Sequence, residues 1–359
     1  MLTADFEYHL PPERIAQRSV EPRDQSRLLV VDRATGERHD RHFYDLPSLL
    51  RPGDLIVLND TKVFRARLHG SVNGHPVELF LLRPITSPKT EDANMDGRQF
   101  SHPSFWEALT RPGRKIHNGS RIEIATEVGC EKWTVVQKSH HGIVTVASPY
   151  NEQGTLDFAN RIGAIPVPPY IHTLPERDEQ YQTIYAQRTG SVAAPTSGFH
   201  FTEGLMNELK AGGINFATVT LHVGLGTFRP IKTDRIEDHI MHAEWAEVPQ
   251  ATVDAINETK RRGGRVIAVG TTTTRTLEGI VALHGKLIAT SEDISLFITP
   301  GFHFQVIDGL ITNFHLPRTT LLSLVAAFLG RRDALMACYR HALDHDYRFA
   351  SFGDAMLIV

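Results

Sequence analysis

Apolar positions come in short runs along this chain, and the punctuation between runs changes twice. Up to Asn59 the runs mix element types. Pro11, Pro12 and Glu13 open a short helix, with proline in the first turn. Arg27–Asp32 is a strand followed by a turn at Ala34-Thr35-Gly36. Phe43–Leu50 reads as a short helix stopped by Arg51-Pro52-Gly53-Asp54, and Leu55–Leu58 is a compact apolar strand of the buried kind.

From Thr61 to Ser148 the pattern becomes short strands between turn dipeptides. Val63–Leu68, Val77–Leu82, Phe105–Leu109, Arg121–Ala125, Lys132–Val136 and Ile143–Ala147 are the strands. Asn73-Gly74, Pro112-Gly113, Asn118-Gly119 and His141-Gly142 are the turns. This spacing predicts a small antiparallel barrel or sandwich. Within it, Pro84–Pro103 carries almost no apolar residue and is expected to be a mobile loop rather than a site.

After Asn151 helical periodicity returns. Ile165–Tyr170 is an extended connector, and Asp178–Gln187 reads as a helix carrying Tyr181 and Tyr185 one turn apart. Thr202–Leu209 is a helix capped by Ala211-Gly212-Gly213, Phe216–Val223 a strand, Pro249–Arg262 an amphipathic helix and Arg265–Val269 a strand. Leu296–Ile298, Phe304–Ile307 and Leu310–Ile311 read as strands, and Thr319–Leu329 and Arg331–His341 as the last helices. Strand and helix alternate here, which predicts a partly parallel α/β sheet. The expected organisation is a mixed α/β fold: residues 1–60 and 149–359 form a discontinuous α/β catalytic domain, interrupted by a small antiparallel β-barrel domain at 61–148.

Composition narrows the class. The 359 residues suffice for two domains, and 41% hydrophobic with 22% charged residues is ordinary for a globular protein. A net charge of -3 argues against a basic coat over the whole surface but leaves room for a local basic groove. Cys130 and Cys338 lack a CxxC partner and signal neither a disulfide framework nor a zinc knuckle. The first residues hold acidic groups and no apolar core segment, so no signal peptide is expected, and no apolar run is long enough for a bilayer. A cytoplasmic, monomeric protein without membrane association is the expectation.

The chemistry concentrates between Ala193 and Trp245. There His200, His222, His239 and His242 stand beside Thr196, Ser197, Thr227, Arg229 and Glu244. Gly198, Gly224 and Gly226 interrupt the strand pattern, as glycines do where a ligand nears the backbone. Further on, Gly270-Thr271-Thr272-Thr273-Thr274-Arg275 joins a strand to a helix N-terminus, which binds anions through free N–H groups. No Gly-Lys follows, so this is not a Walker loop; an anion site and a threonine-rich helix cap are equal readings. His239-x-x-His242 lacks the spacing of a zinc site, and no metal is expected.

Several segments carry a family resemblance. APTSGFHFT, LHVGLGTFRP, MHAEW, VGTTTTRTLE, ITNFHLPRTTLLSLVAAF and YRFASFGDAMLI, with HLPPERIAQ and PGDLIVLNDTKV near the start, resemble the S-adenosylmethionine:tRNA ribosyltransferase-isomerases of queuosine biosynthesis. The match runs through nearly the whole chain in the same order. The family more often reads PTAGLHFT and GTTSVRTLE, changes that keep the histidine, glycine and arginine positions. The polar insert near Pro84–Pro103 is longer than usual for the family.

The resemblance implies an α/β domain interrupted by a small β-barrel. It implies transfer and isomerisation of the ribosyl unit of S-adenosylmethionine onto the aminomethyl-deazaguanine at the tRNA wobble position, yielding epoxyqueuosine, adenine and methionine. S-adenosylmethionine is then a consumed substrate, and no cofactor is needed. By residue type, His200, His222 and Glu244 are candidate bases, and His242 or His315 candidate donors to the departing adenine. Gly270, Thr271, Thr272 and Arg275 suit the methionine carboxylate. Gly226, Thr227 and Arg229 suit the developing oxyanion. Pro195, Thr196, Ser197, Gly198, Gly224 and Asn313 complete the expected substrate site. The anticodon loop of the tRNA would stack on Tyr181 and Tyr185 with Arg177 and Arg188, or lie on the barrel's Arg65, Arg67, Arg111, Arg114 and Lys115; solvated strand edges are the plainer reading of those basic residues. A non-catalytic tRNA-binding module and a metal-dependent hydrolase are the competing functions.

Overall fold

The run Leu55–Asn59 is buried at every position and takes a central place in a large sheet. A computed structural model describes residues 1–85, 104–139, 142–224 and 231–359. The expected loop at 84–103 beyond residue 85, His141 of one expected turn, and Gly226, Thr227 and Arg229 lie outside the described residues.

Among the described residues nine strands form this sheet. Their order is Thr290–Ile294, Glu244–Val248, Asn215–Leu221, Leu55–Asn59, Val266–Val269, Gly309–Asn313, Ala355–Ile358, Arg27–Val31 and Arg38–His42. The four strands from Asn215–Leu221 to Gly309–Asn313 are mutually parallel. Parallel neighbours need long crossovers, which the helices Gln250–Arg261 and Gly270–His284 supply.

Burial on both faces explains the unbroken apolar runs. Ile56, Leu58, Ile267, Val269, Ile311 and Leu357 pack one face against Leu205 and Leu209 of helix Glu203–Ala211. Leu55, Val57, Val266, Ala268, Leu310 and Met356, of opposite parity, are buried as well. Parallel strands covered on both sides read as continuous hydrophobic stretches rather than alternating ones.

The chain divides into two compact units: Met1–Lys62, Val167–Arg188 and Ala194–Val359 in the first, Val63–Pro166 and Thr189–Ala193 in the second. In the second, six antiparallel strands among the described residues close into a barrel in the order Ile143–Ala147, Phe105–Arg111, His75–Ile85, Arg67–Val72, Arg121–Thr126, Gly129–Lys138. Trp106 and Trp133 fill its interior. Gly70 is needed where two strands close in, because a Cβ there would stand 2.6 Å from the Glu123 carbonyl oxygen. The mixed α/β class with an antiparallel barrel is therefore what the chain adopts.

Three local expectations fail for identifiable reasons. Asp178–Gln187 is not a helix beyond the short turn Asp178–Tyr181. Arg23 takes the carbonyls of Glu179 and Gln182, each at 2.7 Å, and so captures groups that a helix would use internally. Tyr181 is fully buried against Phe199 and Phe352 and offers no stacking face. Leu296–Ile298 and Phe304–Ile307 are not strands either. The Glu278 carboxylate accepts the N–H groups of Gln305, Val306 and Ile307 at 2.9–3.1 Å, replacing a neighbouring strand. Conversely, Arg38–His42 is an edge strand exposed at every residue, so no apolar pattern marks it. No described helix is long and apolar enough to cross a membrane.

The N-terminal edge of the parallel strands is pinned by one ion pair. Asp54 Oδ2 accepts from Arg265 Nη2 at 2.6 Å, and Oδ1 from Arg265 N and Nε at 3.1 and 3.2 Å. Burial opposes the charge on Asp54, but the bonds from Arg265 and Arg51 outweigh it and lower the carboxyl pKa. A lowered carboxyl contributes stability above its unfolded value of about 3.9 and loses it as pH falls through the folded value. Asp54→Ala leaves the Arg265 charge behind and should lose about 3–5 kcal/mol in urea denaturation. A loss below about 1 kcal/mol, the range of exposed pairs, would show that the edge is held elsewhere.

Candidate active site

The parallel strands all end on one edge of the sheet, and polar residues gather there. Asn59 and Asn313 are the last residues of their strands, and His222 and Gly270 directly follow theirs. In open α/β sheets ligands bind outside the carboxyl ends of such strands. A cavity lies in this place. Its walls are Ala194–Ser197, Gly270–Thr272 and Asn313–Leu316, with Tyr170, Val223, Thr319, Leu321, Ala350 and Ser351.

One side chain ties two of these walls together. Asn313 Oδ1 accepts hydrogen bonds from Thr196 Oγ1 and Ser197 Oγ, both at 3.0 Å. Its Nδ2 therefore faces His200 Nε2 at 3.2 Å, which must accept. The proton of His200 then sits on Nδ1, which donates to Ser26 Oγ at 2.7 Å. Burial, with help from the Arg348 and Arg23 guanidiniums, drives the His200 pKa down to about 3. His200 is thus neutral, buried behind the wall and stacked on Phe43 at 5.0 Å. It holds Asn313 rather than facing the cavity.

The third wall is the start of helix Gly270–His284. Gly270 has a φ of +89°, in the left-handed region that favours glycine, and a Cβ there would come 3.7 Å from Ser197. This lets the strand turn sharply into the helix. Asn59 Nδ2 donates to Thr272 Oγ1 at 3.2 Å and to the Leu221 carbonyl at 3.1 Å, while Oδ1 accepts the Leu221 N–H. Thr273 and Thr274 bond back to the Val269 and Gly270 carbonyls and are structural.

His222 directly precedes the cavity residue Val223 but is not itself a lining residue, whereas His315 is. His222 stacks on Trp245 at 4.9 Å and its Nδ1 lies 2.8 Å from Thr61 Oγ1. Burial, then the Arg188 charge, lowers its pKa to about 4. His315 lines the cavity, with Nε2 2.9 Å from Thr312 Oγ1, and burial lowers its pKa to about 3.

The expected site residues therefore separate into groups. Pro195, Thr196, Ser197, Gly270, Thr271, Thr272, Asn313 and His315 line this cavity. His200 stands behind it, and Gly198 is required by packing, since a Cβ would lie 1.9 Å from Tyr185 Oη. Glu244 and Arg275 form a buried ion pair, so Arg275 is directed away from the cavity wall and toward Glu244. Glu244 Oε1 also accepts the Gly224 N–H at 2.8 Å. His242 is exposed and is not part of the wall. Sequence reasoning missed Ser26, Asn59, Thr61, Tyr170 and Ser351. Asn59 had a signal, a polar residue closing a buried strand; Ser26 had none, being 174 positions from its partner His200.

The comparisons with known proteins agree with this architecture. Residues 3–358 match the family described as queuosine biosynthesis protein. An S-adenosylmethionine:tRNA ribosyltransferase-isomerase of Gloeobacter violaceus is 47% identical over 360 residues, covering 100% of this chain and 96% of that protein. One of Heliobacterium modesticaldum is 48% identical over 365 residues, covering both chains fully at 100%. The crystal structure of an S-adenosylmethionine tRNA ribosyltransferase from Thermotoga maritima aligns with a TM-score of 0.55 and 36% identity, covering 99% of this chain and 100% of that one. The chain belongs to the queuosine biosynthesis protein family.

The hydrogen bonding of His200 makes a direct prediction. Its imidazole NMR resonances should stay constant from pH 8 to pH 5, because the ring takes its proton only near about 3. The unfolded histidine titrates near 6.5, so acidification below that value destabilises the fold. A His200 titration midpoint above pH 5 would contradict the buried, neutral assignment.

Proposed function

We propose that this chain transfers and isomerises the ribosyl unit of S-adenosylmethionine onto 7-aminomethyl-7-deazaguanine at the tRNA wobble position, giving epoxyqueuosine in tRNA and releasing adenine and methionine. The observation that carries the reading is the cavity at the strand ends. Its walls are the segments APTS, GTT and NFHL, which also carry the family resemblance.

The residues divide the work by chemistry. The first-turn amides of the Gly270–His284 helix favour the methionine carboxylate. His315 faces the adenine edge. His222, neutral at physiological pH, is the acceptor for the acidic proton beside the sulfonium. Gly226, Thr227 and Arg229 are retained, on residue type, as donors toward the epoxide oxygen. Glu244 acts through Arg275 and the Gly224 amide, shaping the backbone after the Asn215–Leu221 strand. No metal or redox cofactor is assigned to the reaction. For the tRNA, the exposed Arg111, Arg114 and Lys115 of the barrel are favoured over the buried Tyr181. Contacts to several phosphates make affinity fall steeply with salt. A monomer acting in the cytoplasm fits these roles.

The test is a single assay with purified protein, labelled S-adenosylmethionine and precursor-bearing tRNA, with and without chelator. Adenine release that requires the tRNA and ignores the chelator is expected. Binding without release would favour the binding module, and release abolished by chelator would favour the hydrolase.

A further inference from the structure

The edge strand Arg38–His42 is exposed throughout, so core packing does not select its residues. Asp40 of this strand faces the end of helix Arg332–Asp344, where His341 and His345 stand one turn apart. One donor atom from each of Asp40, His341 and His345 lies within 4.8 Å of the others. Histidines four residues apart present their rings from one helical face, the arrangement that metal-binding helices use. Here the two rings are nearly parallel, with centroids 3.9 Å apart.

The groups behind these three side chains are arranged as a metal's outer shell is. His345 Nδ1 lies 2.8 Å from the His341 carbonyl oxygen and donates to it, which leaves the lone pair on Nε2. Metal-bound histidines fix their tautomer by such a bond. Asp40 Oδ1 accepts from Tyr347 Oη at 2.6 Å. The Arg27 guanidinium sits 3.5 Å from Oδ1 and 3.9 Å from the Tyr347 ring centroid, holding both. His341 Nε2 is 3.1 Å from both Asp40 oxygens, and the proton it shares with them occupies the place a cation would take.

We propose that Asp40, His341 and His345 bind a divalent transition cation of the zinc class, with solvent completing the shell. Two imidazoles and a carboxylate suit zinc, nickel or copper, whereas magnesium and calcium prefer oxygen donors. The site is separate from the reaction cavity and its role is structural. It ties the sheet's last strand to the segment after the helix, where Tyr347 is followed by the cavity residues Ala350 and Ser351.

The probe is zinc chloride, titrated calorimetrically at neutral pH into full-length protein that has been treated with EDTA and desalted. One bound equivalent is expected, weakened about tenfold or more in His345→Gln and in Asp40→Asn, with His75→Gln on the barrel binding as wild type. Both altered residues are exposed, so the variants retain the circular dichroism of the wild type. Zinc should raise the Tm of the wild type and not of His345→Gln. Cobalt(II) offered instead should show the visible bands of a low-coordinate nitrogen and oxygen site. Absence of stoichiometric binding, or an equivalent whose affinity is unchanged in His345→Gln, overturns the proposal.

Discussion

The side-chain amide of Asn313 is the joint on which the cavity depends. It stands at the end of a fully buried strand, where an unpaired polar group costs about 1–3 kcal/mol. Three of its hydrogen-bonding directions are used: two hydroxyls from the Thr196–Gly198 turn reach its oxygen on one side, and one N–H meets the His200 ring on the other. The arrangement works only with a neutral His200. A proton on Nε2 would place a donor against the Asn313 N–H, so the burial that lowers the His200 pKa and the network that needs an acceptor act in the same direction. Networks satisfied in this way are worth more together than pair by pair, because low local dielectric strengthens each bond.

The sheet separates stability from chemistry by its two edges. At the N-terminal edge Asp54 and Arg265 lock two strands, and Asp308 accepts the Val266 N–H at 2.9 Å. At the carboxyl edge the strands stop on asparagine, histidine and glycine, and the backbone is handed to side chains or to a helix start. Asn59, at the end of its own strand, similarly links Leu221 to the cavity residue Thr272. Rigid strands thus position short polar turns, which is how open α/β sheets build sites.

What could be read in the sequence follows from these constraints. Leu55–Leu58 and Arg265–Val269 were legible because strands buried on both faces must be apolar at every position. The barrel was legible because its turns are glycine dipeptides at regular spacing. Arg38–His42 was not, since an exposed edge strand needs no pattern. The segment after Asp178 was misread because a distant guanidinium, Arg23, decides its conformation. In the site, residue types pointed to Thr196, Ser197, Gly270 and Asn313, which line the same cavity. The roles were less visible. Nothing in local sequence shows that His200 is turned toward Ser26, or that Arg275 is taken by Glu244. Those are long-range pairings between groups that carry no local signal.

The most direct test of this account is a crystal structure of the protein with S-adenosylmethionine, compared with one of the Asn313→Ala variant soaked in the same way. The sulfonium nucleoside should lie between Thr196–Ser197 and the Gly270–Thr272 amides in the parent, and the variant should show the Thr196–Gly198 turn displaced and the ligand lost. A nucleoside bound elsewhere on the chain, or held unchanged by a variant whose turn has not moved, would contradict the claim that the Asn313 joint makes the site.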